Sequence, residues 1–411
     1  MVVALILTLC GAGCSPAARD TAPVAPTPEV MTESQFRAAA ESVVAEREAA
    51  LLAGDRDGFL ATIDDDELQF AATQQRWFNN LAQMPLTDLS LAVSDAAVPG
   101  VEASDLKVPV DFTMRLDGFE DKAVTQRLVY TFTRTANGLL LVADRDARTD
   151  KEGGWLPEPW DIAHVVVRQS ASVLAFFDEE TSPYADAVMK DLEASRLTVL
   201  AALPEWSGTL VAYDISDLTG LEKRSPMSLA ETAGIAYPIY ARPGSRQVAA
   251  YRFVVNPQAA HNGLEREFLL RHELTHIALA DRDDRSPVWL VEGAAGYVEG
   301  SHLPPEQQRY MSAYAVSALG AQVPVLGNGR DFYQNAEAQY PLAAAACSYL
   351  VATRGPDVLW DLMDAFTQAS NLSDSGGSLT GQQVDELLVR EIGLDTAGLT
   401  LATIRWAGSP N

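Results

Sequence analysis

The sequence is poor in cysteine and in basic residues, and its body contains no long apolar run. Its 411 residues include three cysteines. Cys10 and Cys14 fall in the first apolar stretch, so Cys347 is the one cysteine left in the body of the chain, and disulfides are not expected to stabilise the fold. No later stretch reaches the ~18 apolar residues that a transmembrane helix needs. The longest of these stretches, residues 342–352, is predicted to be a core helix.

Basic side chains are outnumbered by acidic ones. The 30 Lys and Arg residues face 56 Asp and Glu residues, which gives a net charge of −26. This balance argues against nucleic acid as a partner, because a phosphate backbone is bound by clustered basic side chains. An acidic surface mainly keeps a protein soluble, although it could also attract cationic substrates. With 47% hydrophobic and 21% charged residues the composition is globular, and the length predicts two or three folded units.

The first residues have the features of an export signal. An apolar run of about ten residues leads through Gly11–Gly13 to Cys14, and a Pro- and Ala-rich stretch continues to about Met31. The Gly-Ala-Gly-Cys end resembles a bacterial lipobox, in which Cys14 would carry lipid and become the mature N-terminus. We therefore predict a signal peptide over 1–14, a linker over 15–31, and anchoring at the outer face of the cell membrane. Plain secretion is the alternative.

A helix is predicted directly after the linker. Thr32 and Gln35 have the spacing of a capping box, and apolar residues recur at helical spacing from Phe36 to Leu51 before Gly54 ends the run. This pattern is typical of an amphipathic helix with one face in a core.

Antiparallel strands are predicted further along the chain. Apolar and polar residues alternate over 108–116 and 128–132, and a second strand leads through Asn137-Gly138 into a third. With the leading helix and a short helix near Trp77, residues 32–148 resemble the cystatin-like cone of the nuclear-transport-factor-2-like superfamily. No catalytic constellation appears there, so an accessory or spacer domain is expected.

A second unit is predicted over residues 155–411. Asp150-Lys-Glu-Gly-Gly154 and the two prolines of 155–160 favour an inter-domain connection. A helix at about 183–203 and almost entirely helical sequence from Leu264 onward predict an α+β subdomain followed by a helical half. Strands are predicted over 164–168, 173–177, 209–213, 235–240 and 248–255.

Two histidines carry the strongest chemical signal of the chain. His272-Glu273-Leu-Thr-His276 forms an H-E-x-x-H motif inside a helical pattern. At ~100° per residue the two histidines lie ~40° apart and one turn along the axis, opposite an apolar stripe. Both imidazoles can therefore bind one metal, and Glu273 lies where it can take a proton from water. Two core or surface histidines on an ordinary helix are the alternative.

A third ligand is predicted sixteen residues after the motif. The run from Pro287 to Glu299 opens another helical pattern, in which Glu292 could complete the site. A proline near the helix start and a Gly-Ala-Ala-Gly face allow two helices to approach closely. Trp289, just before this glutamate, is expected in the core.

The two motifs together resemble those of the gluzincin metallopeptidases, specifically the bacterial peptidase MA-like domains. The second motif, Trp-Leu-Val-Glu-Gly-Ala-Ala-Gly-Tyr, is also similar to that of the aminopeptidase N family. This resemblance implies a zincin-like α+β domain, Zn²⁺ held by His272, His276 and Glu292, and Glu273 as the general base. The glutamate-rich signature that binds a substrate's free amine in that family is not recognisable here, which argues against aminopeptidase activity.

Two further residues are candidates on weaker grounds. Glu299 lies seven residues beyond Glu292, within ~20° on the helix, and matches a glutamate that orients a ligand histidine; a solvated charge is the alternative. Tyr340 is the candidate for stabilising an oxyanion; packing or hydrogen bonding to the backbone is the alternative.

The sequence therefore predicts an exported zinc peptidase that hydrolyses peptide or protein substrates and is membrane-associated through a lipid anchor. An edge strand near 233–236 is expected to hold the substrate extended. The alternative is a non-catalytic cell-envelope lipoprotein that uses a peptidase-like fold as a binding module. The intact Glu273 distinguishes the two, because a purely structural metal site needs no base.

Overall fold

The fold is α+β, with two sheets and a helical C-terminal half. The computed structural model describes residues 31–98, 101–153, 155–218, 221, 234–257, 263–320, 323–372 and 379–408. Within these ranges no helix combines the length and the apolar character that crossing a bilayer requires.

The first part of the chain packs helices against an antiparallel sheet with the order β1-β2-β3-β4. Its helices are α1 (Glu33–Ala53), α2 (Arg56–Leu60) and α3 (Leu68–Leu81). Its strands are β1 (Leu86–Val93), β2 (Lys107–Leu116), β3 (Val124–Thr135) and β4 (Gly138–Ala143).

The predicted start and end of α1 are confirmed. Thr32 Oγ1 accepts a hydrogen bond from the backbone N–H of Gln35, and the Gln35 side chain accepts one from the N–H of Thr32 at 2.8 Å. Gly54 ends the helix at φ 67°, in the left-handed region that glycine adopts without strain. The alternation along β2 is also confirmed, because every second residue from Val108 to Leu116 is buried.

The connection between the two parts is more structured than the sequence indicates. Residues 147–153 form the short helix α4 (Ala147–Gly153), and Pro159 begins another, α5 (Pro159–Ile162). Arg145 Nη2 donates to Asp150 Oδ1 at 2.6 Å, which links α4 to a residue just before it. Trp160 is fully buried, so this segment contributes to a core.

The second sheet is mixed and has the order β5-β6-β7-β9-β8. The β6–β7 and β7–β9 pairs are parallel, whereas β5–β6 and β8–β9 are antiparallel. The predicted strands and helix are confirmed to within a few residues. They are β5 (Val166–Gln169), β6 (Val173–Phe177), α6 (Ala185–Ala202), β7 (Leu210–Asp214), β8 (Gly234–Tyr240) and β9 (Val248–Val255).

Both faces of this second sheet are covered. Val173 and Phe177 pack in the core formed with α6 and the later helices. Leu174 and Phe176 point the other way and share a core with Trp160 and the first part of the chain. Successive residues of a strand face opposite sides, so a strand buried on both faces reads as a continuous apolar run.

The C-terminal half is almost entirely helical in its described residues, as predicted. Its helices are α7 (Gly263–Leu279), α8 (Val288–Gly300), α9 (Pro305–Ala318), α10 (Arg330–Gln334), α11 (Ala336–Arg354), α12 (Val358–Leu372), α13 (Gly381–Ile392) and α14 (Thr396–Gly408).

The glycines of α8 allow a close approach of helices, but the close neighbour is α11. A Cβ atom on Gly293 would lie 2.6 Å from the carbonyl oxygen of Ala343, and one on Gly296 would lie 2.8 Å from Cβ of Ala344. Only glycine leaves room for this backbone contact. Trp289 is buried in the core at the start of α8, as expected. The tight α8–α11 packing fixes the position of α8 and the residues it carries.

Candidate metal centre

Helix α7 presents two histidines on one face. His272 and His276 lie one helical turn apart, with ring centroids 5.0 Å from each other. Leu270, Leu274 and Ile277 lie in the core. Because this apolar stripe fixes the rotation of α7 about its axis, both imidazoles face away from the core and toward α8.

Glu292 on α8 meets both histidines. Its Oε2 atom lies 3.2 Å from Nε2 of His272 and 3.7 Å from Nε2 of His276. One ligand atom from each of the three side chains can lie within 4.8 Å of the other two. The structure thus brings together the three ligands predicted from two separate motifs.

The donor set fits zinc. Two imidazole nitrogens and one carboxylate oxygen form a set typical of catalytic zinc sites, which keep a fourth position open. His272 Nδ1 lies 2.6 Å from Glu299 Oε1, and His276 Nδ1 lies 3.6 Å from Asp283 Oδ2. The hydrogen bond with Glu299 keeps the proton of His272 on Nδ1 and leaves its Nε2 lone pair for a metal. The Asp283 carboxylate faces Nδ1 of His276 from beyond hydrogen-bond distance. Both Nε2 atoms face the Glu292 carboxylate.

The charges of the cluster are strongly coupled. Burial lowers the pKa of His272, but hydrogen bonds with Glu292 and Glu299 outweigh it and raise the pKa well above its ordinary value. Burial of His276 is likewise outweighed by Asp283 and Glu292, and its pKa rises to about 9. Burial raises the pKa of Glu292, yet the two histidines bring it below its usual range. Metal ligation requires neutral imidazoles, so binding must release these protons.

Glu273 lies beside the first histidine and is partly buried. Burial raises the pKa of its carboxyl group, against the opposing effect of the two neighbouring histidines. A carboxylate with a raised pKa is a stronger base, and transfer of a proton from water to it is more favourable near neutral pH. The environment of Glu273 therefore suits the role predicted from its position in the motif.

Glu299 lies on α8, and its carboxylate is within hydrogen-bond distance of His272. The backbone carbonyl of the same residue accepts a hydrogen bond from Arg271 Nη1 at 3.1 Å. Arg271 is buried and also pairs with Glu267 one turn earlier on α7. These contacts tie the end of α8 to α7 at the level of the first histidine.

Two tyrosines border the cluster. The ring centroid of Tyr340, on α11, lies 6.2 Å from that of His272. Tyr333, on α10, donates a hydrogen bond from its hydroxyl group to Glu292 Oε1 at 3.0 Å. Burial and the nearby Glu292 raise the pKa of both phenols, so each stays protonated and can act as a hydrogen-bond donor.

Sequence reasoning missed Tyr333 and Asp283. Tyr333 belongs to a helix of five residues, too short to show a hydrophobic period. Asp283 lies in the turn between α7 and α8, seven residues after His276. One available signal was the position of Asp283 between the two motifs. The connection between them is short, so its residues must lie close to the ligands at either end.

Two predicted features fall at least partly outside the described residues. Cys14, the predicted lipidation site, lies outside them, and so does Ala233 at the start of the predicted edge segment. Ala236 belongs to β8, which stands at the edge of the second sheet and pairs with β9 alone among the described strands.

No protein-family model matches the chain, and no curated protein matches it. Among solved structures, the chain is similar to a crystal structure of a mutant M1 zinc metallopeptidase from Deinococcus radiodurans. That similarity has 14% sequence identity and a TM-score of 0.30, and it covers 69% of this chain and 60% of the other.

Proposed function

We propose that this protein is a zinc-dependent peptidase. The observation that carries the proposal is the convergence of His272, His276 and Glu292, with a partly buried Glu273 beside them. These three ligands would hold the ion and leave a position for the substrate or water. Zinc, when bound, supplies a Lewis acid that makes water acidic and polarises a carbonyl group.

The protein side chains perform the proton transfers in this proposal. Glu273 accepts a proton from the attacking water and later gives it to the departing amine, which keeps the proton count balanced. A tyrosine hydroxyl donates a hydrogen bond to the oxygen that becomes negative, and Tyr340 is the residue assigned to it. Glu299 holds the His272 imidazole in the orientation that ligation requires, and the Asp283 carboxylate lies on the same side of the His276 ring, 3.6 Å from Nδ1.

The edge strand β8 supports the choice of a peptide as substrate. Its neighbour on one side is β9, and its outer edge carries no strand of the described chain. An extended peptide can add to such an edge through main-chain hydrogen bonds, which are independent of sequence. Thr125 of β3 already bonds to the carbonyl of Ala241 just beyond β8, so the available part of the edge begins before that residue.

A non-catalytic binding module remains the second candidate. In that case the metal would have a structural role only, and Glu273 would have no catalytic role. A substitution of Glu273 should abolish the activity of a peptidase but leave the function of a binding module intact. This difference provides the test.

Glu273→Gln is the decisive variant. An amide keeps the size of the side chain but cannot accept a proton at neutral pH, so we expect zinc to be retained and peptide hydrolysis to fall by ~10² to 10⁴. Zinc content by elemental analysis and cleavage of a broad peptide library give both readouts. Glu306→Gln, at an exposed position on α9, is the matched control. Equal rates in both variants would exclude Glu273 as the base, and no cleavage by the wild type would favour the binding module.

Export and lipid anchoring complete the proposal. Lipid on Cys14 and a Pro-rich tether would place the peptidase at the outer face of the membrane. Residues 32–148 would form the cystatin-like accessory domain. If Cys14→Ser leaves palmitate incorporation and membrane partition unchanged in a bacterial host, the anchor is excluded.

A further inference from the structure

The β8–β9 hairpin lies between α7, which carries the two histidines, and the first part of the chain. Ala236 of β8 and Phe253 of β9 are paired in the sheet and face the core to which α7 contributes. The next pair, Tyr237 and Arg252, faces the opposite side. There Tyr237 packs in the core that is shared with the first part of the chain. The position of β8 relative to α7 therefore depends on what holds the hairpin from the far side.

Two carboxylates hold Arg252 on that side. Its Nε and Nη2 atoms donate to Glu120 Oε1 at 3.1 and 2.6 Å, and the other oxygen of Glu120 accepts from the N–H of Leu116, the last residue of β2, at 3.0 Å. Glu158 Oε1 lies 3.0 Å from Nη1, and its Oε2 accepts from the hydroxyl group of Tyr213 on β7 at 2.9 Å. A planar guanidinium group bonds in fixed directions. A shift of β9 along β2 would therefore break these bonds.

The first part of the chain also holds the turn end of the hairpin. The backbone N–H of Thr125, on β3, donates to the carbonyl of Ala241 at 2.9 Å. Lys122 Nζ donates to the carbonyl of Val248 at 3.3 Å. Ala241 follows β8 and Val248 begins β9, so both arms of the hairpin are bound where the turn between them starts and ends.

Stability alone does not call for charges at this place. Replacement of a buried ion pair by apolar side chains of similar volume is often neutral or stabilising. An ion pair with several directed hydrogen bonds instead selects one position of the two segments that it joins. Arg252 makes such bonds between the sheet that contains β8 and the first part of the chain.

We infer that Arg252 is a positioning residue for the substrate. Held by Glu120 and Glu158, it fixes the β8–β9 hairpin, and with it the outer edge of β8, relative to the histidines of α7. The first part of the chain is then the support of the peptide-binding edge. This role rests on the proposed peptidase function, with β8 as the strand that pairs with the peptide.

Two substitutions loosen the hairpin without leaving a buried charge alone. Arg252→Lys keeps the positive charge, but an ammonium group cannot bond to both carboxylates in the fixed geometry of a guanidinium group. Glu120→Gln keeps the size of the side chain and leaves Glu158 as the partner of Arg252, so it provides a folded variant if Arg252→Lys does not fold.

Arg47→Lys is the matched control. Arg47 is also a fully buried arginine, but it bonds to Thr62 and Gln74 within the first part of the chain. This variant should lose stability in a similar way and leave the β8–β9 hairpin in place. It therefore separates a loss of stability from a loss of positioning.

The test compares blocked peptides of two and eight residues that contain the same cleaved bond, as selected by library cleavage. The short peptide has too few main-chain groups to pair with β8. We expect Arg252→Lys and Glu120→Gln to raise KM for the long peptide about tenfold, the loss of one or two main-chain hydrogen bonds. Its kcat should change by less than about twofold, and the kinetics of the short peptide should not change.

A purely structural role would give a different pattern. A smaller folded fraction lowers kcat for both peptides equally, and this is the expected behaviour of Arg47→Lys. Zinc content by elemental analysis should be normal in all three variants. If the ratio of kcat/KM between the long and the short peptide is unchanged in both Arg252→Lys and Glu120→Gln, the positioning role is overturned and the peptidase proposal stands.

Binding separates the positioning role from the chemistry. The affinities of Glu273→Gln protein for acetyl-(Thr-Ala)4-amide and for acetyl-Thr-Ala-amide are measured by calorimetry. A preference for the longer peptide that Arg252→Lys removes and Arg47→Lys keeps would support the positioning role even if no peptide is hydrolysed. Equal affinity for the two peptides, or a preference that neither Arg252→Lys nor Glu120→Gln reduces, would overturn it.

Discussion

Arg252 and Glu120 form a buried ion pair that joins the two sheets of the molecule. Arg252 Nη2 lies 2.6 Å from Glu120 Oε1, and neither side chain has any exposed surface. Glu158, from the connecting segment, lies 3.0 Å from Nη1 of the same guanidinium group. Because Arg252 belongs to β9 and Glu120 follows β2, these charges connect the segment predicted to be accessory to the sheet behind the metal centre.

Loss of this arginine should destabilise both parts of the molecule together. Arg252→Met leaves two buried carboxylates without their partner, a change that typically costs about 3–5 kcal/mol. We expect the free energy of unfolding, measured with urea, to fall by this amount. Hydrogen exchange should show α1 and β9 opening in one transition.

Neutralising the partners provides the control. Adding Glu120→Gln and Glu158→Gln to Arg252→Met removes the uncompensated charges, so the triple variant should recover part of the lost stability. If hydrogen exchange shows α1 unfolding separately from β9 in the wild type, the shared core does not couple the two parts. Residues 32–148 would then behave as an independent domain.

The sequence predicted what depends on local order and missed what depends on distant contacts. The H-E-x-x-H helix and the start of α1 follow from periodicity and capping, which act within a few residues. The burial of Leu174 and Val211 against the first part of the chain could not be predicted. A continuous apolar run indicates that both faces of a strand are covered, but it does not identify the segment that packs against each face.

The same limit applies to the site. His272, His276 and Glu292 belong to two motifs with recognisable spacing, so their meeting could be predicted. Tyr333 contacts Glu292 because α10 packs against α11, and this packing positions α10 beside the ligand. Its own neighbours in the sequence carry no motif, and the contact exists only after the helices assemble.

Metal removal should lower stability, and removal of one ligand should prevent metal binding. Glu292→Ala takes away the carboxylate shared by both histidines, so we expect less than a tenth of the wild-type zinc by elemental analysis. For the wild type, saturating zinc should raise the free energy of unfolding by about 3–4 kcal/mol relative to chelator-treated protein. Glu306→Ala is the control and should bind about one equivalent of zinc. Full zinc retention in Glu292→Ala would rule out the assigned ligand.

Tyr333 and Tyr340 should differ in what they support. Tyr340→Phe removes the donor assigned to the oxyanion, so kcat should fall by ~10² to 10³ at unchanged zinc affinity. Tyr333→Phe removes the hydrogen bond to a ligand carboxylate, so zinc affinity should fall by ~10-fold, with a smaller change in kcat at saturating zinc. Steady-state kinetics and zinc titration against a competing chelator measure both. The opposite pattern would exchange the two assignments.

Asp214 should make stability depend on pH. Its carboxyl group is fully buried at the end of β7, and burial together with the neighbouring Asp178 raises its pKa to about 7, against the opposing effect of Arg266. The folded state therefore holds this proton more tightly than the unfolded chain, whose aspartate pKa is ~3.9. Stability from this group is fully present below the unfolded pKa and is lost as the pH rises through about 7.

A substitution isolates this effect from other titrating groups. Between pH 5 and pH 8 the group should cost the wild type about 3 kcal/mol of unfolding free energy, because one pKa unit corresponds to about 1.4 kcal/mol. Asp214→Asn has no proton to lose, so it should gain stability relative to the wild type as the pH rises. Asp186→Asn, at a fully exposed position, should follow the wild type. Urea unfolding at both pH values measures the difference. If Asp214→Asn changes the free energy of unfolding equally at pH 5 and pH 8, this carboxyl group does not titrate in that window.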